Sequence, residues 1–129
     1  MAGQNDKPIK VVLVGDGGVG KTIWLHKVLG YDVSINNRKP TMGVDVMSKT
    51  INGTELSIWD CAGVDENGGL RDAYFLEADL CIAFSRDNMP GSARNVQDKW
   101  IPMVEKVAPN VRIVLAHPDD TGILHRMYE

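Results

Sequence analysis

Residues Gly15 to Thr22 read GDGGVGKT, which satisfies the spacing Gly-x-x-x-x-Gly-Lys-Ser/Thr. The run before it, IKVVLV (Ile9 to Val14), is continuously apolar, rich in β-branched residues and bounded by Pro8 and Gly15. That is how a strand buried on both faces reads. The run after it places Ile23, Trp24, Leu25, Val28 and Leu29 at helical spacing and closes on Gly30. Glycines between such a strand and helix let backbone N–H groups curl around anionic oxygens, while the helix N-terminus points its partial positive charge at them. The pattern makes Asp16, Gly17, Gly18, Val19 and Gly20 a phosphate cradle. Lys21 then reaches the β- and γ-phosphates, and the Thr22 hydroxyl ligates Mg²⁺. A chance match in a chain of ordinary glycine content is roughly one in a few hundred. A glycine-rich turn that merely joins strand to helix is the plain alternative, and the flanking elements disfavour it.

The rest of the chain fits that start. A length of 129 residues suits one domain with a single core, read as a polar flexible N-terminus over 1–8 and a P-loop domain over 9–129. Val44 to Ile51 and Glu55 to Asp60 flank Asn52-Gly53, a strong hairpin signal. A short helix is expected near Leu70 to Glu77, a buried strand over Leu80 to Phe84, a helix over Ala93 to Val107 and a fifth strand over Val111 to Ala116. Pro102 predicts a kink or a late start in the second of these helical stretches. Strands alternating with helices imply βαβ units and a mainly parallel α/β sheet of about five strands. A formal net charge of −3 argues against nonspecific nucleic-acid or membrane-surface binding. No apolar run reaches the roughly 20 residues of a bilayer span, and neither a signal peptide nor a lipid-anchor motif is visible. Cys61 and Cys81 lack metal-ligand spacing, so a reduced intracellular compartment is the expectation. His26 reads as a surface residue of the first helix, and His117 and His125 have no ligand spacing.

Two further stretches follow the cradle in order. KPTMGVDV places Thr41 in a loop before a strand, and WDCAG places Asp60 at a strand end with Gly63 behind it. They offer a second hydroxyl for the metal, a carboxylate for its water shell and a backbone N–H for the γ-phosphate. The series GDGGVGKT, PTMGVDV, WDCAG resembles the Ras-type small GTPases. GGLRDAYFLEAD (Gly68 to Asp79) and the RNV…W segment (Arg94 to Trp100) are similar to the Ran family in particular. The resemblance runs from about Ile9 to Ala116. It implies a P-loop three-layer fold that binds GTP or GDP with Mg²⁺, with Thr41 in switch I and Gly63 in switch II. The implied metal set is Thr22, Thr41 and Asp60. Ran-type transport or exchange factors are the implied partners.

The chain departs from the family at four places. Val64 stands where the family places the glutamine that orients the attacking water. Valine has neither donor nor acceptor, so slow hydrolysis is expected; Asp65 and Glu66 are carboxylates, ill suited beside a phosphate. After the fifth strand the family carries Asn-Lys-x-Asp, whose aspartate accepts both guanine N–H groups, whereas this chain reads AHPDDTG. Asp119 or Asp120 can approach the base or can be plain loop acids, and Tyr31 is a candidate to pack on base or ribose. The chain ends soon after the fifth strand, so the resemblance implies a fold lacking the last strand, the last helix and the family's acidic tail. That leaves a sheet edge for a second copy or a partner, with ILHRMYE (Ile123 to Glu129) able to cover part of the surface. Finally, Asn67 stands where the Ran family has a phenylalanine that docks an import factor. Two readings follow: a slow guanine-nucleotide switch, and an inactive interaction module or decoy for nuclear-transport factors.

Overall fold

The computed structural model describes residues 7–30, 43–63 and 71–128. Tyr31, Thr41, Val64, Asp65, Glu66 and Asn67 lie outside them. Period-two alternation organises the sheet. In β1 (Ile9–Gly15), Val11 and Leu13 join the apolar cluster on one face, Val12 and Val14 that on the other, and all four are fully buried. A strand with two apolar faces belongs in mid-sheet with a layer on each side.

The elements that follow are α1 (Lys21–Leu29), β2 (Gly43–Ile51), β3 (Thr54–Gly63), α2 (Arg71–Tyr74) and β4 (Leu80–Phe84). Then come α3 (Pro90–Asn95), a π-helical turn (Val96–Trp100), α4 (Ile101–Val107), β5 (Arg112–Ala116) and α5 (Ile123–Tyr128). The five strands lie in the order β2-β3-β1-β4-β5. β1 pairs in parallel with β3 and β4, β4 pairs in parallel with β5, and β2 runs antiparallel to β3. The β2–β3 hairpin turns at Asn52 (φ 52°) and Gly53 (φ 83°), the paired left-handed residues that match strand twist.

Trp24 and Leu25 of α1 and Ile123 and Leu124 of α5 close one face, with the Trp24 ring edge-on to Phe84 at 5.1 Å between centroids. Phe75, Val96, Trp100 and Val104 close the other face against Val12, Val14, Cys81 and Ala83. The three-layer α/β expectation therefore holds, and the ILHRMYE segment does bury apolar side chains. β5 forms the edge of the described sheet, with Leu115 60% exposed.

One local expectation needs correction. His26 is buried at 2% exposure, while Ile23 of the same helix is 52% exposed. The helix is rotated so that Lys21, Trp24, Leu25 and His26 face inward, and apolar spacing alone did not fix that rotation. The kink or late start expected at Pro102 is met by a π-helical turn followed by α4, which carries Pro102 in its first turn. A proline ring clashes with the carbonyl four residues back, here Asp98, and a wider turn relieves that contact.

Candidate functional site

The site lies where the parallel strands end. Ligands of open α/β sheets bind beyond the carboxyl ends of the strands, at the point where connections diverge to opposite sides. Here β1 sits between β3 and β4, and its carboxyl end is the glycine-rich loop. Gly15 (φ 143°), Gly18 (φ 81°) and Gly20 (φ 104°) take conformations that L side chains rarely adopt. Two of these positions are also crowded. A Cβ on Gly15 would lie 2.7 Å from the Phe84 carbonyl oxygen, and one on Gly20 would lie 2.9 Å from Cβ of Pro118. The Val19 N–H closes the turn onto the Asp16 carbonyl at 3.2 Å.

Lys21 opens α1 and is only 4% exposed. Its Nζ donates to the carbonyls of Gly15 at 2.7 Å and Asp16 at 3.1 Å, so the ammonium is stowed against the cradle's own backbone. Burial pushes its pKa down, offset in part by the nearby Asp60 and Asp16 carboxylates. Thr22 Oγ1 donates to Asp60 Oδ2 at 3.0 Å, although the two residues are 38 positions apart. A hydroxyl that donates to a carboxylate keeps its lone pairs for a cation, and the carboxylate can hold that cation's water. This hard-oxygen pair suits Mg²⁺, which binds through one or two protein ligands and completes its shell with phosphate oxygens and water. Among the described residues no group of three His, Cys, Asp or Glu side chains could hold a metal by itself. Gly63 ends β3 opposite Gly43. Thr22, Asp60 and the cradle are thus brought together, while Tyr31, Thr41 and Val64 lie outside the described residues.

Asp16 has a role that its place in the loop did not reveal. Its carboxylate accepts Asn95 Nδ2 at 2.7 Å and Trp100 Nε1 at 2.9 Å. Both donors come from the α3–π-turn segment, and they fix the negative side chain of a loop built for anions. The Trp100 ring is buried, and its N–H buttresses the phosphate loop.

On the other side of the cradle is a cavity of about 590 Å³ lined by Arg86, Asp87, Asn88, His117, Pro118, Asp119 and Asp120. It adjoins the loop directly: Arg86 Nη1 donates to the Gly18 carbonyl at 3.4 Å, and Pro118 lies against Gly20. His117 Nδ1 donates to the Ser85 carbonyl at 3.1 Å in the matching tautomer. Trp24 Nε1 donates to the Asp120 carbonyl at 2.6 Å and fastens this loop to α1. A larger cavity of about 720 Å³, lined by Lys10, Trp59, Asp79 and Tyr128 among others, opens near the amino end of β1. It lies at the wrong end of the sheet for phosphate chemistry, and Lys10 is already engaged there with the Leu76 carbonyl and the Trp59 ring. The two buried thiols, pushed up to about 12 chiefly by burial, stay protonated and offer no nucleophile.

A strand, a phosphate loop with left-handed glycines, a lysine and a hydroxyl–carboxylate pair define a P-loop nucleotide-binding domain. Residues 10–118 match the family of the Ras of Complex, Roc, domain of DAPkinase. The chain is also 35% identical over 113 residues to the GTP-binding protein rhoC of Emericella nidulans, an alignment taking in 82% of this chain. The chain spans 39% of the length of that curated relative. It belongs to the Roc family and is a Ras-superfamily small-GTPase domain.

Proposed function

We propose that this domain is a guanine-nucleotide switch that holds GTP or GDP together with Mg²⁺ and hydrolyses the triphosphate slowly. The observation that carries this reading is the cradle itself, with Lys21 stowed on its carbonyls and Thr22 bonded to Asp60 at its mouth. In this reading the loop amides and Lys21 neutralise the phosphates. Thr22 and Asp60, with Thr41 from between α1 and β2 in the sequence, hold the cation, and Gly63 meets the γ-phosphate. The base enters the cavity beside Pro118 and Asp120. When bound, Mg²⁺ supplies positive charge to the β- and γ-phosphate oxygens.

Calorimetric titration with GTP, GDP and ATP in Mg²⁺ tests the proposal. Micromolar or tighter binding of the guanine nucleotides supports it, and no heat with any of the three defeats it. Slow hydrolysis follows from Val64, which cannot orient a water. Val64→Gln is expected to raise phosphate release on the order of tenfold, since the step depends on positioning. An unchanged rate would place the limiting defect elsewhere.

Within the superfamily, the stretches Gly68 to Asp79 and Arg94 to Trp100 support a Ran-like role with transport or exchange factors as partners, acting in nucleus or cytoplasm. A second reading, an inactive interaction module with weak or unselective nucleotide binding, is favoured by one observation: Asp120 is already engaged by another side chain of the domain. The exposed β5 edge with Leu115 supports pairing with a second copy. Light scattering is expected to show a dimer, and a monodisperse monomer would rule that pairing out.

A further inference from the structure

The carboxylate of Asp120 stands at the edge of the cavity beside the cradle, and its surroundings are unusually complete. Its backbone is fixed from two sides, by Trp24 Nε1 on its carbonyl and by its own N–H donating to the His117 carbonyl at 3.1 Å. Its side chain then meets three donors. Oδ1 accepts the Gly122 N–H at 3.2 Å and Arg126 Nη1 at 3.1 Å, and Oδ2 accepts Arg126 Nη2 at 2.5 Å. The fork of Arg126 thus lies across both oxygens, the geometry that sets apart strong arginine–carboxylate pairs from ordinary surface pairs. Gly122 makes room for it: a Cβ there would come within 3.0 Å of Arg126 Nη1.

A carboxylate has about four lone-pair directions, two on each oxygen. With Gly122 and Arg126 in place, both directions on Oδ1 are used. A base presenting two parallel N–H groups needs one free acceptor on each oxygen, so it can be read in full only after Arg126 leaves. The guanidinium offers two N–H groups in the same parallel arrangement as the N1–H and N2–H edge of guanine. Adenine presents one N–H and one acceptor on its corresponding edge, so it has less to gain from the same carboxylate.

We propose that Arg126 is a specificity-determining residue: its guanidinium occupies the base-reading edge of Asp120, so the site discriminates weakly between guanine and adenine while that pair is closed. The inference rests on the nucleotide reading above. It accounts for a carboxylate held beside the cavity in a loop that reads AHPDDTG and carries neither asparagine nor lysine. The simpler role for Asp120 is to fasten the start of α5, through Gly122, with Arg126 adding a surface ion pair.

The ratio of Kd for ADP to Kd for GDP, measured by calorimetry in Mg²⁺ on wild type, Arg126→Ala and Arg126→Lys, separates the two. The diphosphate contribution cancels in that ratio and leaves the base. Freeing both oxygens in Arg126→Ala is expected to raise the ratio about tenfold, the scale of one charge-assisted hydrogen bond gained. Arg126→Lys, a point charge that covers one oxygen, is expected to fall between. Asp120→Asn added to Arg126→Ala should bring the ratio back to that of wild type or below it, because an amide offers guanine one acceptor where the carboxylate offers two. A lower melting temperature for Arg126→Ala with an unchanged ratio would show that the pair only fastens α5, and would overturn the inference. Absence of binding of either nucleotide to any of these proteins would overturn the nucleotide reading, and this inference with it.

Discussion

Lys21→Met is expected to weaken GDP binding by at least about a hundredfold, roughly 2.7 kcal/mol, because one charge-assisted contact to a polyanion is lost in a site of restricted solvent access. The same substitution is expected to leave the nucleotide-free protein as stable as wild type or more so. The reason lies in how the ammonium is held. It is 4% exposed and rests on two carbonyl oxygens, and burial outweighs the attraction of Asp60 and Asp16 in setting its pKa below the ordinary lysine value. A buried charge in that state costs the empty fold, and methionine fills similar space without it.

The pH dependence has a definite sign. The folded-state pKa is depressed, so between it and the ordinary value the unfolded chain binds more protons than the folded one. Stability of the empty protein therefore rises as pH climbs through that window. A bound polyanion favours the charged form and should flatten the rise. Melting curves of wild type and Lys21→Met, with and without GDP, check both halves. A variant that binds GDP like wild type would remove Lys21 from the site.

Gly20→Ala is expected to lower stability by about 2–4 kcal/mol and to abolish nucleotide binding, since two independent costs coincide. The backbone at Gly20 has φ 104°, and a Cβ would sit 2.9 Å from the Pro118 ring. Pro118 cannot swing aside as a long side chain could, because proline is tied to its own backbone and the following loop is fastened by Trp24. The fall in melting temperature should be about 10 °C for a domain of this size. Gly17→Ala is the matched comparison. Gly17 shows no left-handed φ, and a Cβ there would meet nothing within 4 Å. Its melting temperature should stay near that of wild type. Equal losses in the two variants would mean that the loop tolerates the Cβ at Gly20 and that its left-handed turn is not what shapes the cradle.

The parts of this architecture legible in the sequence are those set by near neighbours. IKVVLV told of a two-faced central strand, Asn52-Gly53 of a hairpin, and GDGGVGKT of a strand–loop–helix cradle, because each is a local pattern with a local cause. The contacts that finish the site are long-range and carry no spacing signal. Asp16 meets Asn95 and Trp100 across 79 and 84 positions, and Trp24 meets Asp120 across 96. The GDGGVGKT pattern leaves the residue at position 16 unspecified, so nothing local marked its carboxylate as a tether. His26 misled for a related reason: a polar residue on a short helix reads as exposed until neighbouring layers fix the helix rotation. The Arg126–Asp120 pair could have been suspected from Asp and Arg flanking the start of a short helix, although its geometry could not.

In the nucleotide reading, the amides of residues 17–22 and the Lys21 ammonium grip a phosphate chain. Amide proton and nitrogen shifts of the labelled protein, followed while GDP and Mg²⁺ are added, test it at the atoms concerned. The N–H resonances of Gly17, Gly18, Gly20, Lys21 and Thr22 are predicted to move together and to saturate at one stoichiometric equivalent. GDP binding that leaves those resonances in place, or millimolar GDP that moves nothing in the domain, would contradict it.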